Sequence, residues 1–72
     1  MNETELKMID YMQSIIDYVK YLHEEEDYKT DELLRDTCRL CLDRFKHCGD
    51  MFEAVTGKAV AVKNWKVVMK GE

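Results

Sequence analysis

The sequence contains no proline, only three glycines, one tryptophan and two histidines. Without proline, no helix need be broken by a residue that lacks a backbone donor. The glycines, at 49, 57 and 71, build neither a phosphate-cradling loop nor a nucleophile elbow. His23 and His47, far apart in the chain, leave little for acid–base catalysis. No run approaches the roughly 20 apolar residues needed to span a bilayer. The opening Asn2-Glu3-Thr4-Glu5 is polar, unlike the basic-then-apolar start of a secretory leader. Together these absences predict a cytoplasmic chain that is not an enzyme, has no cofactor and no membrane partner, and keeps Cys38, Cys41 and Cys48 reduced.

At 72 residues the chain is one domain, residues 1–72, close to the lower limit at which a single core is self-sufficient. Self-association is one remedy for such a small core. The net charge of −4 is unevenly distributed: residues 1–36 carry eleven acids and four bases, residues 37–72 four acids and seven bases. That split of −7 against +3 suits packing of the halves against each other, attraction between subunits, or a basic end that meets an anion.

Two stretches have helical periodicity. Met8, Ile15 and Leu22 repeat at seven, with Met12 and Val19 four residues after the first two, which predicts a helix over 3–26 buried on one side. Asn2 and Glu5 have capping-box spacing at its start. Ile9, Ile16, Tyr11 and Tyr18 widen the apolar arc to about half the circumference at 100° per residue, more than one partner helix covers. His23-Glu24-Glu25-Glu26-Asp27 ends the pattern, and Asp27-Tyr28-Lys29 is short enough to force an antiparallel hairpin. Thr30 offers an N-cap for a second helix over 31–56, with Asp31 and Glu32 in its first turn.

In that second helix Leu34, Cys41, Cys48 and Val55 repeat at seven, with Cys38, Phe45 and Phe52 between them. Gly57 is placed to close it in the left-handed conformation. Gly49 costs roughly 1 kcal/mol relative to Ala inside a helix, but the repeat keeps its phase across it. A continuous helix with a close helix crossing at Gly49 is therefore expected. Leu33, Leu40 and Met51 form a second apolar edge about 100° from the main stripe. The fold class expected is mainly α: an antiparallel two-helix hairpin completed by oligomerisation into a bundle.

The last segment differs. Lys58–Lys70 has no acid, alternates Ala59-Val60-Ala61-Val62, and continues Trp65-Lys66-Val67-Val68-Met69. This predicts a β-like tail over 58–70, turning at Lys63-Asn64, that needs a docking surface because an isolated hairpin is only marginally stable.

Among candidate sites, Cys38 and Cys41 have Cys-x-x-Cys spacing, but Cys48 lies about 10.5 Å further along the helix from Cys41, beyond reach of a shared zinc. All three sit at core positions, where free cysteine packs as a small hydrophobe. The consecutive Glu24, Glu25 and Glu26 spread around the helix as a solvated acidic face. Arg39, Arg44, Lys63 and Lys66 with Trp65 form the basic end, where lysines attract phosphate and an exposed Trp stacks on a base.

Two functions follow. The first is a self-associating adaptor or inhibitor, in the style of small phage-encoded proteins, that docks on a larger protein through Tyr11, Tyr18, Glu24, Glu25 and Glu26. The second is an oligomer that binds a nucleotide or single-stranded nucleic acid through Arg39, Arg44, Lys63, Trp65 and Lys66.

Overall fold

The computed structural model describes residues 2–25 and 30–71. Two helices, α1 (Glu3–Glu25) and α2 (Glu32–Thr56), are followed by two short strands, β1 (Val60–Lys63) and β2 (Lys66–Met69). The predicted hairpin is present and mainly helical. Glu26, placed in the first helix by periodicity, lies outside the described residues, as do Asp27, Tyr28 and Lys29. No helix among the described residues is long and apolar enough to cross a membrane.

The helix ends follow local chemistry. Asn2 caps α1, its Oδ1 accepting from the Glu5 N–H at 2.9 Å. The Glu5 carboxylate does not complete the capping box; it reaches across the fold to Lys58 Nζ at 3.3 Å. At α2 the cap is Asp31 rather than Thr30: its carboxylate accepts from the backbone N–H of Leu33 and Leu34. A carboxylate there satisfies two otherwise unpartnered donors and also meets the positive end of the helix dipole. Gly57 closes α2 at φ 75°, its N–H donating to the Glu53 carbonyl at 2.8 Å.

α2 runs unbroken through Gly49. The close approach there is not a helix crossing: a Cβ on Gly49 would meet Val60 Cγ2 at 3.2 Å, so the glycine makes room for β1. The strands pair antiparallel, Val60 opposite Met69 and Lys63 opposite Lys66. The turn is Asn64-Trp65, one residue later than the alternation suggested, with φ 55° and 64°. Positive φ at both central residues is type I′ geometry, whose twist matches that of paired strands. Asn suits its place, but a bulky residue in the left-handed region is strained.

That strain is held by tertiary contacts. The Gln13 side chain acts as a clip: its Nε2 donates to the Trp65 carbonyl at 3.0 Å, and its Oε1 accepts from the Val67 N–H at 2.8 Å. The Trp65 ring packs on the cluster of Val19, Leu22 and Cys38, edge-on to His23 at 5.2 Å between centroids. The β-hairpin therefore lies along one side of the helix pair.

The core is Met12, Ile16, Val19 and Leu22 from α1 with Cys38 and Phe52 from α2. It is shifted from the heptad positions toward the β-hairpin: Ile16 is buried while Met8 and Ile15 are only half-buried. Val55, expected in the core stripe, is 77% exposed. Of the cysteines, Cys38 is buried and Cys41 and Cys48 are half-buried.

Candidate functional site

With the β-hairpin on one side, the other side of the helix pair is uncovered. At 100° per residue Gln13 is turned about 160° from Tyr11, and Gly49 about 180° from Leu40, so Tyr11 and Leu40 look away from the strands. Between the helices on this side runs a groove in two depressions. One, of about 310 Å³, is lined by Thr4, Lys7, Met8, Tyr11, Cys48 and Met51. The next, of about 320 Å³, is lined by Tyr11, Ile15, Thr37, Leu40, Cys41 and Arg44. Tyr11 lines both, so the two depressions adjoin at its ring. Its lining also shows the helices to be antiparallel, since Met8 shares walls with Cys48 and Ile15 with Cys41.

The groove is bordered by large apolar side chains left in water. Tyr11, Leu40 and Met51 line it, and Tyr18, Leu33 and Val55 elsewhere on the two helices are likewise about half exposed or more, Val55 reaching 77%. Among the described residues, the charged ones lining it are Lys7 and Arg44. It offers desolvation, methionine adaptability and tyrosine surface, the materials of a protein-binding face.

Tyr11, singled out by periodicity, therefore lines the groove with Leu40 and Met51 of the second helix, while Tyr18, about two turns further along α1, lines neither depression. Tyr18 stacks on Tyr21 with ring centroids 6.3 Å apart. Glu24 and Glu25 line a separate shallow hollow with Asp17, Lys20 and Tyr21. Glu26 lies outside the described residues. The part of Met8, Cys48 and Thr37 in the groove was missed by sequence reasoning, which read Met8 and Cys48 only as core. The signal was the second apolar edge, which indicates that the helix-pair core does not close on that side.

The basic set does not converge within the chain. Arg44 lines the open groove, Arg39 is turned to Asp36 at 3.3 Å, and Lys63 and Lys66 face each other at the end of the β-hairpin. Trp65 is a half-buried core neighbour, not an exposed stacking platform.

Burial, followed by the nearby Cys41, pushes the Cys38 thiol above its ordinary value. A raised thiol value favours the protonated fold, so this contribution is present at neutral pH and is lost as pH rises past the unfolded thiol's value of about 8.5. Cys38 is expected to react with iodoacetamide at least tenfold more slowly than Cys48, because attack needs both thiolate and access. Mass-spectrometric timing of alkylation at each cysteine checks this; equal rates would contradict the burial of Cys38.

No family model matches this chain, and comparison with curated proteins and with solved structures also finds no match.

Proposed function

We propose that the chain is a small protein-interaction module, an adaptor or inhibitor, that self-associates through its open helical face and presents its acidic outer side to a larger protein. The observation that supports this best is the pair of adjoining depressions lined by Tyr11, Leu40 and Met51, on helices that also leave the large apolar side chains of Tyr18, Leu33 and Val55 in water. At roughly 100–130 Å² of remaining accessible area each, these six and their half-buried neighbours present on the order of 800 Å², one partner's share of a standard specific interface. A monomer that left such a face in water would forgo the stability a short chain needs. A second copy supplies the same apolar surface in the same shape. Asp17 and Glu24 are turned away from the groove and remain outside such an assembly, open to a basic partner surface.

Sedimentation measurements test this. The chain is expected to be dimeric at concentrations on the order of 10 µM, and Leu40→Lys to be monomeric with its helix content retained, because an unpaired charge desolvated at the centre of an interface is costly. A wild-type monomer under those conditions would refute the reading. The nucleotide or nucleic-acid alternative has one observation in its favour, the Lys63–Lys66 pair. Like charges directly opposite in a hairpin repel, and a bound anion relieves this. Its aromatic element is already committed to the core.

A further inference from the structure

We propose that the second copy docks antiparallel, α1 on α1 and α2 on α2, about a two-fold axis that passes Ile16 and runs close to Leu42, so that Lys7 of each chain meets Glu25 of the partner subunit. This pairing rests on the self-association just proposed and specifies its geometry.

The outward side of α1 carries a straight row, Lys7, Tyr11, Ser14, Tyr18, Tyr21 and Glu25, every member exposed. The steps of four and three residues are those of a helix seam, although no part of this row enters the chain's own core. Run antiparallel against itself, the row has one register that satisfies both charged ends. Lys7 then lies opposite the partner's Glu25, Tyr11 opposite the partner's Tyr21, and Ser14 opposite the partner's Tyr18. Each layer is complementary in kind: opposite charges, two aromatics, a small residue beneath a large one. A parallel pairing would instead set Lys7 on the partner's Lys7 and Glu25 on the partner's Glu25. Sliding the antiparallel register by one heptad leaves the charged ends without each other.

α2 carries a second row with the same steps: Leu33, Thr37, Leu40, Arg44, His47 and Met51. Antiparallel self-pairing of this row sets Leu33 on the partner's Met51, Thr37 on the partner's His47, and Leu40 on the aliphatic stem of the partner's Arg44.

The two registers were obtained separately, one from each helix, and they must share one axis. The α1 layers are centred on Ile16 and the α2 layers on Leu42. In the folded chain Ile15 and Cys41 line the same stretch of groove; because the helices are antiparallel, Ile16 and Leu42 lie one residue away in opposite directions, and the two centres are about two residues' rise, ~3 Å, apart. Two rows centred within ~3 Å of one level share a two-fold axis after a shift of less than one helical turn, and the partner that such an axis supplies is a second copy of the chain. The β-hairpin, on the far side, does not obstruct it. Lys7 already touches Glu3 at 3.3 Å, but both side chains are largely exposed and such a contact yields readily.

A charge-reversal cycle read by sedimentation tests the pairing. Lys7→Glu and Glu25→Lys are each expected to weaken the dimer roughly tenfold, since two symmetry-related attractions become repulsions, and the double variant to return within about twofold of wild type. Carbodiimide treatment of mixed light- and heavy-isotope chains is expected to link Lys7 to Glu25 between chains. Circular dichroism separates loss of the dimer from loss of the helix. A dimer that ignores both reversals, or a double variant as weak as the two losses combined, overturns this pairing while leaving self-association intact. A wild-type monomer overturns both.

Discussion

Phe52→Ala is expected to lower the thermal midpoint by roughly 15–30 °C or to leave no cooperative transition at all. Phe52 is fully buried, with 0% of its surface exposed, and is the largest side chain in the core. Truncating a buried Phe typically costs about 3–5 kcal/mol, the lost transfer energy plus the cavity left behind. A chain of this length has a total stability of about 4–10 kcal/mol, and each 1 kcal/mol moves the midpoint by roughly 4–8 °C. The loss therefore consumes a large share of what holds the fold. Phe52→Leu, which keeps most of the volume, should shift the midpoint by less than half as much. Denaturation followed by circular dichroism decides, and a Phe52→Ala midpoint within a few degrees of wild type would mean that the α2 end of the core is not packed as described. Because the groove is formed by the same two helices, the variant should also lose whatever the groove binds.

The two helices were legible because their information is local. Seven-residue repeats, an Asn at the start of α1, the absence of proline and a Gly after Thr56 all act within one or two turns. Errors of detail were local too: Thr30 and Asp31 are both competent caps, and the carboxylate, able to accept from two N–H groups, takes the position. What local pattern misses is contact between residues far apart in the chain. Ile16 replaces Ile15 in the core, and Val55 leaves it, because the β-hairpin covers only one side of the helix pair, which no periodicity within a helix reveals. The same asymmetry creates the candidate site. Tyr11, Tyr18, Leu33, Leu40 and Met51 could be recognised as surplus apolar surface from the sequence. That Tyr11, Leu40 and Met51 line one side of the helix pair together required the fold.

Gln13→Leu is expected to undock the β-hairpin while leaving the helices formed. The turn was misplaced by one residue from sequence because Asn64-Trp65 lacks the glycine that normally supplies the second positive φ. A Trp in that conformation costs roughly 1–3 kcal/mol and persists only where surrounding contacts over-determine it. Gln13 makes the contacts that do so: its amide takes the place of a neighbouring strand at the β2 edge, meeting the Trp65 carbonyl and the Val67 N–H, and is itself oriented by Asp17 Oδ1 at 2.9 Å. Leucine fills similar space but leaves that carbonyl and N–H unpaired, at about 1–3 kcal/mol for each group that stays buried. The hairpin is small enough that either cost is comparable with its docking energy, and an undocked two-stranded ribbon has little stability of its own. Amide exchange at Val67 should accelerate at least tenfold and Trp65 fluorescence should shift to the red as the ring leaves Val19 and Leu22. Gln13→Glu should be milder at Val67, since its carboxylate still accepts from that N–H, yet worse at the Trp65 carbonyl, where two acceptors then face each other. Unchanged Val67 protection in Gln13→Leu would show that ring packing alone holds the turn.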